Sequence, residues 1–158
     1  MAIKGKYLKI LSRIKDDSAG ASVWRYMLSD IIFDLKEAFP KYNWIGIYLL
    51  DGETLKLETY LGKPPSHTKI KISDGVCGRG VREKQTIIVG NVCEDPSYLS
   101  CDRFVKSEIV VPIMKDENIL GVLDVDSIKK NAFTKEDEEF LKEVSTIIGN
   151  TFPKIKKE

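Results

Sequence analysis

Three acidic residues, Glu108, Asp124 and Asp126, stand in segments that are otherwise apolar. Residues 119–126 predict a strand, whose two-residue period puts both aspartates on one face, about 7 Å apart. A hairpin would bring Glu108 close to them. Crowded carboxyl groups raise at least one pKa, which leaves a protonated acid that can donate to an oxygen. The cluster would also suit a cationic ligand. The alternative is that the strand ends early and both aspartates are hydrated.

Two of the three cysteines stand where a thiol could react. Cys101 lies in a polar loop, which is unusual because structural cysteines are mostly buried among apolar residues. Arg103 and Lys106 would favour its thiolate, whereas the acidic cluster would oppose it. Cys77 lies between glycines at a predicted helix start, where a thiol pKa is lowered. The alternative for Cys77 is a tight turn that carries a small residue.

The remaining cysteine and the single histidine do not indicate a metal site. Cys93 has no partner by spacing, and we interpret it as incidental. With His67 alone there is little room for a Cys-His-Asp triad, and no Cys-x-x-Cys pair supports zinc. Three carboxylates without a supporting pattern are weak grounds for another divalent metal. The glycine-rich turn at residues 75–80 matches neither nucleotide-binding fingerprint. We therefore predict no metal and no cofactor.

Two aromatic residues share one face of a predicted strand over residues 43–50. Trp44 and Tyr48 are four residues apart, so both side chains point the same way. Core packing is the usual interpretation of such a pair. The sharper hypothesis is a pocket wall for the apolar part of a ligand.

The elements that would position these residues are strands between two terminal helices. Apolar spacing predicts helices over residues 18–39 and from Thr134, where Thr134 and Asp137 resemble a capping box. A short helix is predicted from Gly75 through Lys84. Strands are predicted over residues 43–50, 54–60, 68–72, 86–89, 108–114 and 119–126. The pattern indicates an α+β fold, with a mostly antiparallel central sheet of about six strands flanked by N- and C-terminal helices.

Composition limits the classes of protein to which the chain can belong. Its 158 residues, 42% of them hydrophobic, predict one domain with a core over about residues 18–152 and a solvated tail at 153–158. A net charge of +1 provides no basic field for nucleic acid or an anionic membrane. No apolar run approaches the roughly 20 residues of a membrane helix, and the N-terminus lacks signal-peptide features. We predict a cytoplasmic protein with reduced thiols that binds neither nucleic acid nor membrane.

Five motifs, in order and with consistent spacing, resemble those of the free methionine-R-sulfoxide reductases, which are GAF-domain enzymes. They are Gly75-Val-Cys-Gly78, Asn91-Val92, Cys101-Asp102, Lys106-Ser-Glu-Ile-Val-Val-Pro112 and Gly121-Val-Leu-Asp-Val-Asp-Ser127. The resemblance is densest between residues 75 and 127 and extends more loosely over about two thirds of the chain. It implies a GAF-like fold.

The resemblance also implies a reaction, the reduction of free L-methionine-R-sulfoxide. Cys101 would attack the sulfoxide sulfur and become a sulfenic acid as methionine leaves. Cys77 would then close a disulfide with Cys101, and a thioredoxin-like donor would reduce it. Many family members carry a further cysteine ten residues before the position of Cys77, where this chain has His67. Without that cysteine, Cys77 would have to resolve the sulfenic acid alone.

The same resemblance assigns the binding residues. Glu108, Asp124 and Asp126 would hold the sulfoxide oxygen, with at least one of them protonated. Trp44 and Tyr48 would line the pocket around the methyl end of the substrate. The family also suggests a homodimer, for which the amphipathic first predicted helix could supply the contact.

A sensor is the alternative to an enzyme, because GAF domains often bind or sense ligands and fold alone does not decide function. Phe133, Asp137 and Glu138 resemble the end of the motif found in cyclic-nucleotide-binding GAF domains. The Asn-Lys pair that precedes them in that motif is absent, since Lys130 and Asn131 occur in the reverse order. The reductase is therefore our leading hypothesis, with a non-catalytic module for a small ligand or redox signal as the second.

Overall fold

The extended segments of the chain form a single central sheet, and helical segments lie before, between and after them. The computed structural model describes residues 5–21, 23–98 and 104–152. Over these residues the elements, in chain order, are α1 Lys6–Gly20, α2 Trp24–Ala38, β1 Trp44–Asp51, β2 Thr54–Leu61, β3 Lys69–Lys71, α3 Gly75–Glu83, β4 Ile87–Val89, the 3-10 helix Val92–Glu94, β5 Ser107–Lys115, β6 Asn118–Ser127 and α4 Lys135–Thr151.

The six strands form one sheet in the order β3-β2-β1-β6-β5-β4, and every neighbouring pair is antiparallel. Tight turns produce the two long hairpins, since Gly52 between β1 and β2 has φ 64° and Asp116 between β5 and β6 has φ 57°. The predicted α+β fold, with a mostly antiparallel six-stranded sheet between terminal helices, is confirmed. Each predicted strand is present, with bounds that differ by one residue at most ends.

One face of the sheet is covered by α2 and α4, and α1 packs against these two helices. The apolar face of α4 is buried, and Gly149 lets this helix lie directly on β5, because a Cβ there would collide with the Met114 carbonyl oxygen. Thr134 and Asp137 form the predicted capping box. Each fully buried large apolar side chain stabilises the fold by about 1.5–3 kcal/mol, so this layer supplies much of the stability. The core here includes Trp24, Met27, Leu28, Ile31, Leu35, Phe140, Leu141, Val144 and Ile148.

The predicted helix over residues 18–39 is wrong in its first part. Helix α1 ends at Gly20 and α2 begins at Trp24, because Ala21 and Val23 both have extended backbones. Glycine weakens a helix by about 1 kcal/mol relative to alanine, which favours a break at this point. The sequence interpretation missed α1, although it buries an apolar stripe of its own, formed by Ile10, Leu11 and Ile14.

The opposite face of the sheet is covered by α3 and by loops. Its smaller core combines α3 residues such as Cys77 and Val81 with Val110 and Val122 of the central strands. Gly78 lets α3 begin close to the preceding chain, since a Cβ there would lie 2.9 Å from the carbonyl carbon of Ile72. Among the helices of the described residues, none has the length and apolar character needed to cross a membrane. The candidate site lies on this second face.

Candidate active site

The three acidic residues come together on the β5–β6 hairpin. The register places Glu108 directly opposite Asp126, and Asp124 lies on the same face opposite Val110. All three are buried, with relative exposures of 5%, 6% and 5% for Glu108, Asp126 and Asp124. The alternative of two hydrated aspartates at a strand end is therefore excluded, and the predicted carboxyl cluster is present.

Strand β1 adds the two aromatic residues to the same face. Trp44 lies opposite Asp126, and the next inward position, Gly46, lies opposite Asp124. Tyr48 follows on this face, and its ring centroid is 6.4 Å from that of Trp44. The two rings are nine-tenths buried or more and form a wall beside the carboxyl cluster.

A loop over residues 62–68 is tied to this wall by both rings. Trp44 Nε1 donates to the Lys63 carbonyl oxygen at 2.9 Å, and the Tyr48 hydroxyl donates to the His67 carbonyl oxygen at 3.1 Å. Tyr60 stacks on Trp44 at a centroid distance of 5.9 Å. The sequence interpretation missed these contacts. A glycine inside a strand, at position 46, was the available signal that another group approaches the backbone there.

Cys77 reaches the carboxyl cluster from α3, where it is the third helical residue. Its side chain is buried, and its Sγ and one carboxylate oxygen each of Glu108 and Asp124 all lie within 4.8 Å of one another. These three atoms could hold a divalent cation. Hydrogen bonds of Asp124 with Glu108 and with the Cys77 thiol join the same groups without one.

The pKa of Cys77 is shifted in the direction opposite to the one predicted from a helix start. Burial raises the pKa of this thiol well above its ordinary value, and the charges of Asp124, Glu108 and Asp126 raise it further. The first turn of a nine-residue helix contributes only a partial positive charge, which burial and three carboxyl groups outweigh. Cys77 is therefore held as a neutral thiol.

Asp124 is a carboxyl group of the cluster whose pKa is raised. Burial raises its pKa, and hydrogen bonds with Glu108 and Cys77 offset only part of that rise. Its Oδ1 is buried and has no hydrogen-bond partner within the described ranges. The cluster can therefore hold a proton above the ordinary carboxyl range, beside a buried acceptor. Those are the properties of a general acid.

Cys93 and His67 lie outside this cluster. Cys101, with the rest of residues 99–103, is not among the residues that the structure describes. The ring centroid of Phe104, just after that segment, is 4.7 Å from Lys63 Nζ, and Phe104 lines a cavity of about 480 Å³ beside Trp44. Cys93 is exposed in the 3-10 helix. His67 contributes its backbone carbonyl to the loop contact described above.

Comparisons with known proteins identify the family of the chain. The GAF domain family matches residues 27–152. The chain is 37% identical over 146 residues to "GAF domain-containing protein A" of Dictyostelium discoideum, which covers 92% of this chain and 91% of that protein. It is 35% identical over 126 residues to the free methionine-R-sulfoxide reductase of Escherichia coli (strain K12), which covers 80% and 76%. The free methionine-R-sulfoxide reductase of Neisseria meningitidis, solved in complex with its substrate, superposes with a TM-score of 0.89 at 32% identity, over 96% and 93% of the two chains.

Proposed function

The chain belongs to the GAF-domain family and, within it, to the free methionine-R-sulfoxide reductases, and from this premise we propose that it reduces free L-methionine-R-sulfoxide to methionine. The observation that carries the proposal is the buried carboxyl cluster on β5 and β6, beside the aromatic wall of β1. A sulfoxide oxygen is a hydrogen-bond acceptor, and the apolar methyl group next to it suits an aromatic surface.

In the first step, the Cys101 thiolate attacks the sulfoxide sulfur. A proton from the carboxyl cluster neutralises the sulfoxide oxygen, which makes the sulfur more electrophilic. The oxygen passes to Cys101 as a hydroxyl group, methionine leaves, and Cys101 becomes a sulfenic acid. Ionised acids near Cys101 also reduce the fraction of this cysteine that is thiolate. The cluster therefore activates the sulfoxide but lowers the concentration of the nucleophile.

In the second step, Cys77 resolves the sulfenic acid. Its sulfur attacks the Cys101 sulfur, the hydroxyl leaves as water, and a disulfide forms. The raised pKa of Cys77 makes a base necessary, and Asp124, which hydrogen-bonds to this thiol, stands in the right place to accept its proton. A thioredoxin-like donor then reduces the disulfide, and two electrons return the enzyme to its starting state.

The proposal is tested by measuring methionine formation from the R and S epimers of free methionine sulfoxide, with dithiothreitol as reductant. We expect product from the R epimer alone and background rates for Cys101→Ser. Cys77→Ser is expected to release about one methionine per protein without reductant and then accumulate a sulfenic acid that dimedone traps. Cys93→Ser is the matched control, because the Cys93 thiol is exposed and takes part in neither proposed step. The rate of this variant should equal that of the wild type.

Full activity in Cys101→Ser would contradict the mechanism. Absence of product from either epimer, with folded and reduced protein, would instead favour the sensor alternative, and a search for ligands of the acidic pocket would follow. Loss of methionine release in Cys77→Ser during a single turnover would contradict its assignment to the second step alone.

The cellular setting and assembly follow from the same proposal. The reaction consumes reduced thiols, which suits the cytoplasm. Tyr26 and Phe33 are 71% and 56% exposed and lie seven residues apart on one side of α2, which supports a homodimer contact through that helix. Light scattering coupled to size exclusion should give twice the chain mass, and a monomer at all concentrations would contradict the dimer.

A further inference from the structure

The aromatic wall of the pocket lies against two glycines that the proposed chemistry does not use. Gly46 lies between Trp44 and Tyr48 on the inner face of β1 and opposite Asp124 on β6. A Cβ added to Gly46 would be 2.6 Å from Cζ3 of the Trp44 indole, closer than real side chains approach. The six-membered ring of the indole therefore occupies the space that any other residue at position 46 would fill.

Gly62 contacts the other end of the same ring. It has φ 128°, and a Cβ there would be 2.7 Å from Cδ1 of Trp44 and 3.0 Å from the Asn43 carbonyl oxygen. The next residue, Lys63, accepts the hydrogen bond from Trp44 Nε1 at 2.9 Å. The indole is thus confined at its five-membered ring by the loop and at its six-membered ring by the bare backbone of β1.

We propose that Gly46 and Gly62 are positioning residues, which hold the Trp44 indole flat against β1 and so fix the aromatic wall of the substrate pocket. A side chain at position 46 would push the ring away from the sheet and into the space above Asp124. The consequence for substrate binding rests on the proposed reductase function. The position of the ring does not, so the two can be tested separately.

The first measurement compares Gly46→Ala with the wild type, because a methyl group is the smallest change that creates the clash. Displacement of a binding wall weakens ground-state binding, so we expect KM for free methionine-R-sulfoxide to rise about tenfold while kcat changes much less. A crystal structure of the variant should show the indole rotated away from β1. This second readout requires no activity.

A double-mutant cycle with Trp44→Leu separates positioning from a general structural effect. Leucine lacks the ring that the new Cβ would meet, so Gly46→Ala should cause no further rise in KM in this background. The double variant should be as stable as Trp44→Leu or more stable, since alanine loses less backbone entropy than glycine when a strand forms. Two other glycine-to-alanine variants serve as controls, one destabilising and one neutral. Gly121→Ala meets the backbone of Leu49 at 3.0 Å and should destabilise both backgrounds equally, whereas Gly20→Ala meets nothing within 4 Å and should be neutral in both.

The proposal is overturned if the indole keeps its position in Gly46→Ala, or if Gly46→Ala raises KM equally with Trp44 and with leucine at position 44. An inactive wild type would defeat the proposed function and leave the crystallographic test of the indole position intact. A displaced indole without any change in KM would overturn the link between ring position and substrate binding.

Discussion

Buried carboxyl groups lie on both faces of the sheet, and their surroundings are opposite. On the helical face, Asp137 is fully buried and accepts hydrogen bonds from Lys41 Nζ at 2.6 Å, from the Tyr42 hydroxyl at 2.6 Å and from the Tyr7 hydroxyl at 3.0 Å. On the pocket face, Asp124 is surrounded by other acids and by a thiol, and one of its oxygens has no partner among the described residues.

The pKa values follow this difference. Burial alone would raise the pKa of Asp137, but the donors from Lys41, Tyr42 and Thr134 outweigh it and lower the pKa below the ordinary value. Burial raises the pKa of Asp124, and its few hydrogen bonds do not reverse the shift. Two carboxyl groups that are both almost inaccessible to solvent therefore have pKa shifts of opposite sign, and the hydrogen-bond donors around Asp137 account for the lowering there.

The largest expected effect that tests this contrast is on activity. Asp124→Asn keeps the shape of the side chain and removes the proton that the proposed first step needs. We expect kcat/KM to fall by about 10²–10⁴-fold, the usual contribution of a general acid, while the free energy of unfolding stays equal or increases. Steady-state kinetics and urea denaturation measure the two. A large loss of stability in Asp124→Asn would mean that this carboxyl group is structural, like Asp137.

The next effect is on stability. Asp137→Ala removes the acceptor of two tyrosine hydroxyls and the charged partner of Lys41, which keeps only the Ala132 carbonyl oxygen, so we expect the free energy of unfolding to fall by about 3 kcal/mol. Activity per folded molecule should not change. Tyr7→Phe removes one donor only and should cost about 1 kcal/mol, which makes it the graded control. If Asp137→Ala folded with normal stability but lost activity, Asp137 would not be a structural carboxyl group, and the contrast with Asp124 would be wrong.

A third buried carboxyl group sharpens the comparison, with the smallest expected effect. Burial, followed by the neighbouring Asp17, raises the pKa of Asp34 on α2 to about 7, while Arg13 opposes the shift. An acid whose pKa is higher in the folded state binds its proton there first, so stability should fall as pH rises from about 4 to 7. Asp34→Asn should weaken this slope and be more stable than the wild type above pH 7, by about 1 kcal/mol.

Denaturation curves at several pH values would show this behaviour. Asp30→Asn is the matched control, because Asp30 is exposed on the same helix and contributes only a minor charge effect to Asp34. If the free energy of unfolding changed with pH equally in the wild type and in Asp34→Asn, the dependence would come from groups other than Asp34.

The carboxyl cluster of the site was predictable because its geometry is local. Strand period places Asp124 and Asp126 on one face, and a hairpin turn of a few residues brings Glu108 opposite to them, so no distant contact had to be foreseen. The fold was predictable for a related reason, since most strand pairs are consecutive in the chain. Glycine and turn residues, such as Gly52, mark where the connections lie.

Other features depend on distant contacts, which a sequence pattern does not contain. The capping box identified Asp137 at the start of α4, but its partners Lys41 and Tyr42 are 96 and 95 residues away. The pKa of Cys77 was expected to be lowered by its helix, whereas tertiary burial raises it. The break between α1 and α2 depends on how α1 packs against α2 and α4, and apolar spacing continues across it.

The hairpin that carries all three carboxyl groups also affects how the chain reaches its folded state. Glu108 and Asp126 face each other within a contiguous stretch of β5 and β6. Contacts so close in sequence tend to form early, and like charges directly opposite each other oppose strand pairing. Repulsion between the Glu108 and Asp126 carboxylates should therefore act already at the folding transition state. Stopped-flow refolding should be faster in mild acid than in mild alkali, and that difference should shrink in Asp126→Asn.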